Sequence, residues 1–164
     1  MKHSGEHFHL ISFDVPFPAD YGGVIDVFYK IKALHELGVK IHLHAYHYGR
    51  NVAPQLEELC HKVYYYKRKT YKNPFISRVP YIVNSRNDDN LLRNLLYDDH
   101  PIIFEGLHTT YHLSDKLLRR RLKIVRMHNI EHHYYAKLEE AEKNFFKKYF
   151  FKQNPRNYEL MNAY

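Results

Sequence analysis

His7-Phe8-His9-Leu10-Ile11-Ser12, then Phe13-Asp14-Val15-Pro16-Phe17-Pro18-Ala19-Asp20-Tyr21, then Gly22-Gly23-Val24: these three pieces, read in succession, decide the fold. The first is an apolar-rich run of strand length. The second carries two prolines and breaks regular structure. The third switches to helical spacing, because Val24, Val27, Phe28, Ile31, Leu34 and Leu37 fall three or four apart and line one helix face. Gly38 is placed to close that helix in the left-handed conformation. A glycine pair at a strand-to-helix junction lets another molecule approach the backbone. The first amides of a helix have no internal partners and carry the positive end of its dipole, which favours a phosphate. A tight turn that binds nothing explains a bare glycine pair equally well.

Outward from this core the pattern repeats. Val39 to Tyr46 alternates apolar and polar residues, as a strand with one better-buried face does. His42 and His44 share its other face. Two such histidines can hold a metal, but the sequence offers no evident third ligand, and the pair reads as a partly exposed face. Pro54 to Cys60 predicts a short helix with proline at its start, and His61 to Tyr66 a strand. Asn87 or Asp88 can cap a helix carrying Leu91, Leu92, Leu95 and Leu96. Pro101-Ile102-Ile103-Phe104 is a compact strand with Glu105-Gly106-Leu107-His108 as its exit. A helical piece from Tyr111 to Arg121, a strand from Leu122 to Met127, and a long helix from Ile130 to about Lys152 follow. That last helix takes its apolar faces from Tyr135, Leu138, Phe145 and Tyr149.

Strands alternating with helices predict an α/β, Rossmann-like parallel sheet with helices on both faces. Ligands of such sheets bind beyond the carboxyl ends of the strands. Gly22, Gly23, His108 and His128 all follow predicted strands, so the fold gathers them at one edge.

Composition sets the remaining limits. A chain of 164 residues, 45% hydrophobic, suffices for one domain with a real core. A formal charge of +7 favours an anionic partner. Cys60 is the single cysteine, which excludes an internal disulfide and fits a reducing compartment; its leucine neighbours mark it as buried. With neither a spanning apolar run nor a signal peptide in the sequence, the expectation is a cytoplasmic protein, with peripheral contact at the inner face of the membrane as an option. Lys67, Arg68 and Lys69 open a segment to Phe75 in which basic and aromatic residues interleave. Such a segment can contact anionic lipid or nucleic acid, or be a solvated loop.

Two motifs carry a resemblance. Asp14-Val15-Pro16-Phe17-Pro18-Ala19-Asp20-Tyr21-Gly22-Gly23, with its helix ending Ala33-Leu34-His35-Glu36-Leu37-Gly38, resembles the opening of a family 4 glycosyltransferase. Arg126-Met127-His128-Asn129-Ile130-Glu131-His132-His133 is similar to the His-Asn-Ile-Glu-His run of bacterial members. The resemblance implies the amino-terminal, acceptor-side half of a two-domain GT-B enzyme, residues 1–164, with the carboxy-terminal donor domain outside this chain. It implies transfer of a sugar from a nucleotide sugar to a glycan or lipid-linked acceptor with retention of configuration, and an isolated half with little or no activity. No metal and no cofactor beyond the nucleotide-sugar co-substrate are implied, and no nucleic acid partner is expected. Gly22 and Gly23 would wall the donor diphosphate, His128 would be the active-site histidine, and His108, Asn129 and Glu131 would lie toward the acceptor.

A competing reading takes His128-Asn129-Ile130-Glu131-His132 as the H-x-x-E-H pattern of inverted zinc peptidases. That chemistry needs both histidines one helical turn apart, whereas His128 sits at a strand exit. A nucleic-acid or membrane-binding module built on the basic, tyrosine-rich segment is a third reading, and it leaves the glycine loop unexplained.

Overall fold

The computed structural model describes residues 5–70 and 79–127. Five strands form one parallel sheet: β1 (His7–Ser12), β2 (Lys40–His47), β3 (Lys62–Lys67), β4 (Ile102–Glu105) and β5 (Lys123–Arg126). Their order is β3-β2-β1-β4-β5. The sequence therefore lays down β1, builds outward to β3 on one side, and returns to build β4 and β5 on the other. This is the α/β Rossmann-like arrangement that the sequence predicts.

The register sorts the side chains into two layers. Leu10 pairs with Leu43 on β2 and with Ile103 on β4, so all three share a face. The long helix α1 (Gly22–Glu36) and the short helix α2 (Gln55–Leu59) cover that face. Val27 and Ile31 from α1 and Leu56 from α2 join Leu10, Ile41 and Leu43 in one core, every one of them 0% exposed. Burying an aliphatic side chain of this kind contributes about 1.5–3 kcal/mol before entropy is counted. Gly38 adopts φ +83°, the left-handed closure expected of it. Leu37, by contrast, is 47% exposed: it sits at the carboxyl cap, where the helix has already turned away from the sheet.

The opposite face carries Ile11, Tyr46, Tyr66, Ile102 and Phe104, packed against Leu91 and Leu95 of a helix spanning Asp89–Leu95. Asp88 caps this helix by accepting from the Asn90 amide at 2.9 Å. A shorter helix, Tyr81–Asn84, precedes it. The predicted helix between 111 and 121 is instead two 3-10 turns, Leu107–His112 and Lys116–Leu118. In the first turn Thr109 and Thr110 donate back to the carbonyls of Gly106 and Leu107 at 3.1 and 2.7 Å, and Asp115 caps the second by accepting from the Leu117 amide at 2.8 Å. Cys60 is buried, as expected, and burial pushes its thiol up to about 12. The helix predicted from Ile130, with Tyr135, Leu138, Phe145 and Tyr149, lies outside the described residues.

The histidine pattern on β2 corrects the sequence reading most sharply. His44 is 0% exposed rather than half-solvated. It joins a hydrogen-bonded chain that crosses the sheet. Tyr66 Oη stands 2.8 Å from His44 Nδ1, His44 Nε2 stands 2.7 Å from His9 Nδ1, and His9 Nε2 stands 2.8 Å from Asp98 Oδ1. Asn94 donates to the same tyrosine oxygen at 2.8 Å. One assignment satisfies every link with neutral rings: Tyr66 donates to His44, His44 to His9, and His9 to the carboxylate. Beside this chain, His7 Nδ1 and His42 Nε2 lie 2.9 Å apart.

These imidazoles resist protonation. Burial holds His44 well below its ordinary value of 6.5, with the neighbouring His9, His42 and Lys62 acting in the same direction. Burial and the neighbouring His9 bring His42 down to about 4, against the opposing pull of Asp98. An unfolded chain takes up these protons near pH 6.5, whereas the folded chain refuses them until the pH is lower. Acid therefore favours unfolding across the window from about 6.5 to about 4. Thermal melts in chelator-treated buffer should show the midpoint falling as pH drops through that window, and His42→Gln should flatten the fall. An unchanged slope in that variant contradicts the assignment.

Candidate functional site at the carboxyl edge

The reversal of strand order falls between β1 and β4, and the carboxyl ends of those two strands open the crevice where ligands of this sheet type bind. The loop leaving β1 is held in shape from several directions. Ser12 Oγ donates to the Asp14 carbonyl at 2.6 Å, and Asp14 accepts from the Val15 amide at 2.8 Å and from Tyr21 Oη at 3.0 Å. Arg86, only 5% exposed, donates through Nε and Nη2 to the Phe13 carbonyl at 3.2 and 3.0 Å. Arg50 pairs with Asp20 at 2.8 Å and also donates to the Pro18 carbonyl. The Phe17-Pro18 peptide is cis.

This loop delivers α1 with its amino end open. Tyr21 is the N-cap residue, in extended conformation, and its side chain makes no capping bond. No acidic residue lies in the first turn. The leading amides are thus left for water or a ligand, with the helix dipole behind them.

The two glycines do different work. A Cβ added at Gly22 meets nothing within 4 Å, whereas one added at Gly23 would stand 2.6 Å from Phe13 Cζ. Gly23 lacks a side chain because the chain's own Phe13 ring occupies the space. Gly22 alone faces an open approach. The Phe13 ring also lies 5.8 Å from His108, on the 3-10 turn after β4. The Phe13 ring therefore neighbours both Gly23 and His108, while Gly22, next to Gly23 in the chain, keeps clear of it.

A charged network lies under the same edge. Glu105, the last residue of β4, is 0% exposed. Lys30 from α1 pairs with it closely, and Arg126, the last residue of β5, approaches it at 3.4 Å. Arg126 also grips Asp26 of α1, with Nη2 donating at 3.0 Å. Two acids and two bases thereby tie α1 to the ends of β4 and β5. Sequence reading missed this network and Arg86 alike, because each partner lies far away along the chain.

The basic segment stands apart, at the end of β3. Lys67 is exposed, but Arg68 donates to Ser85 Oγ at 2.9 Å and stacks its guanidinium 5.3 Å from the Tyr48 ring. The Lys69 amide bonds to the Ser85 carbonyl at 2.8 Å. Arg68 thus fastens the loop to the body of the domain. His128, Asn129, Glu131 and His132 lie outside the described residues. Among the described residues, no helix is long and apolar enough to cross a membrane.

Removing the buried carboxylate should cost more than removing an exposed one. Glu105→Ala leaves Lys30 and Arg126 facing a buried gap and should destabilise the domain by about 2–4 kcal/mol, reduced from the fully buried case because both cations reach solvent. Lys30→Met should lower the cost of losing Glu105. Denaturant titration of the single and double variants measures that coupling, and strict additivity contradicts it.

No family model matches this chain, and no solved structure matches it. Over 150 residues it is 27% identical to an uncharacterized 44.6 kDa protein in the cps region of Klebsiella pneumoniae. The match takes in 87% of this chain and 38% of that relative, so the chain spans well under half the length of the protein it resembles. The chain is thus a distant homologue of that protein, whose own description goes no further than its place in the cps region.

Proposed function

We propose that this chain is the amino-terminal, acceptor-side domain of a two-domain glycosyltransferase of the GT-B type. In this reading the complete enzyme moves a sugar from a nucleotide sugar to a glycan or lipid-linked acceptor, with retention. The observation that carries the reading is the opening of α1: an uncapped helix start at Gly22, with open space before it, at the strand-order reversal. The cps-region setting of the distant relative supports glycan biosynthesis. The 62% of that relative outside the match is room enough for a further domain of similar size.

In the reaction the bond from the anomeric carbon to the diphosphate oxygen breaks, and a bond to the acceptor hydroxyl oxygen forms. The acceptor's proton leaves with the nucleoside diphosphate. Negative charge grows on the departing diphosphate, and the Gly22 and Gly23 amides with the α1 dipole offset it more in the transition state than in the ground state. Phe13 fixes the glycine backbone from behind and closes the crevice toward His108. His128 acts near the reacting sugar, while His108, Asn129 and Glu131 address the acceptor. The remaining donor contacts belong to the second domain. Exposed Lys67 and its basic neighbours give a peripheral contact with anionic lipid if the acceptor is lipid-linked.

Kinetics on the complete enzyme test this. Gly22→Val has space for its side chain, so the domain should stay folded while the donor KM rises and turnover falls, together about tenfold or more. Gly23→Val is the poorer probe, because it also displaces Phe13. His128→Ala should reduce kcat chiefly, by about a hundredfold. Near-normal transfer by folded Gly22→Val and His128→Ala enzymes contradicts the proposal.

A further inference from the structure

At the other end of the strands, far from Gly22, the sheet gathers histidines. His7 opens β1, His42 lies near the start of β2, His61 precedes β3 and His100 precedes β4. Parallel pairing stacks strand starts at one edge, so residues distant in sequence meet there. The His7 ring lies 5.3, 5.1 and 4.8 Å from the rings of His42, His61 and His100. One nitrogen from each of His7, His42 and His100 lies within 4.8 Å of the other two.

We infer that His7, His42 and His100 form a binding site for a divalent transition-metal ion, zinc foremost. Zinc binds imidazole nitrogen at about 2.0–2.1 Å, so adjacent tetrahedral ligands stand about 3.3 Å apart. The His7 Nδ1–His42 Nε2 separation of 2.9 Å is a few tenths of an ångström under that spacing, so a slight opening of this pair admits an ion. With no separation above 4.8 Å, closing the cluster to tetrahedral spacing asks for a shift of at most about 1.5 Å, within reach of a small ring rotation. Neutral imidazoles without thiolates select a borderline ion over calcium or magnesium.

The supports are stiff. Two ligands come from hydrogen-bonded strands. The third stands on a turn that Arg121 clamps, donating to the His100 carbonyl at 2.9 Å and to the Asp98 and Leu95 carbonyls at 2.7 Å. His61 is exposed, and its ring lies 5.1 Å from that of His42, close enough to supply a fourth ligand. Such an ion would clip β1, β2 and the turn before β4 together. Its place at the amino edge separates it from the transfer site, so the inference does not depend on the proposed reaction.

The test uses the whole chain, with any affinity tag removed and metal stripped by a chelator, titrated with zinc sulfate against a fluorescent zinc indicator. The expected result is one tight ion per chain, a melting midpoint that rises with zinc, and affinity at least tenfold weaker in His7→Asn and in His100→Asn. His35→Asn, a histidine outside the cluster, should bind as the parent does. If the strand variant His7→Asn fails to fold without metal, His100→Asn decides alone, since its turn is held through backbone carbonyls. The inference is overturned if the parent binds no zinc at micromolar concentration, or if His100→Asn binds undiminished. Loss of the ion in His128→Ala while His100→Asn retains it overturns it equally, in favour of the H-x-x-E-H reading.

Discussion

Strand β1 is hydrogen-bonded along both edges, to β2 from His7 to Ser12 and to β4 from His9 to Ile11. Everything else in the domain depends on that double pairing. It buries Leu10 against α1 and α2, and Ile11 against the helix carrying Leu91 and Leu95, so one strand joins two cores. It also sets the direction of every neighbour, because all pairings are parallel. Parallel strands need crossovers, and the crossovers supply the covering helices. The site follows from the same cause: the chain leaves β1 at the point where the strand order turns back, and α1 starts there.

Polar groups divide between the two ends of this sheet according to what each end needs. At the carboxyl edge, Glu105, Lys30, Asp26 and Arg126 are charged and mutually neutralising, so α1 is anchored without adding net charge to the crevice. Burying a carboxylate such as Glu105 is tolerable only with such partners. Toward the amino edge the polar groups are mostly histidines, and burial disfavours the charged form of His9, His42 and His44. The Tyr66–His44–His9–Asp98 chain places polar atoms inside a hydrophobic layer without leaving its links unsatisfied. The two ends therefore offer different chemistry: open helix amides for an anion at one, convergent imidazole nitrogens at the other.

Much of the fold was legible because period and punctuation are local. The apolar run at Leu10-Ile11, the three-and-four spacing after Gly23, the left-handed Gly38 and the cap at Asp88 each act within a few residues, and each stands where its chemistry requires. Leu37 and the 111–121 segment departed from expectation because position at a helix end, and side-chain-to-backbone bonds at Thr109, Thr110 and Asp115, outweigh apolar spacing. The site was half legible. Gly22-Gly23 stood out as a glycine pair, but only the structure separates the open Gly22 from Gly23, which makes room for Phe13. Arg86, Glu105 and His100 gave no local signal, because their roles arise where the register brings distant segments together. His42 and His44 were visible as a same-face pair, and His42 is partly exposed as expected, yet the full burial of His44 and the partners His7, His9 and His100 came from neighbouring strands and turns.

The central claim is that an anionic leaving group sits on the amino end of α1 at the strand-order reversal. Amide hydrogen exchange on the complete protein, with and without a panel of nucleoside diphosphates, tests it most directly. The account predicts new protection at residues 21–25, with a smaller effect at 106–110, and none at the strand starts around His7 and His42. Protection confined to other segments, with residues 21–25 exchanging as in the free protein, would contradict it.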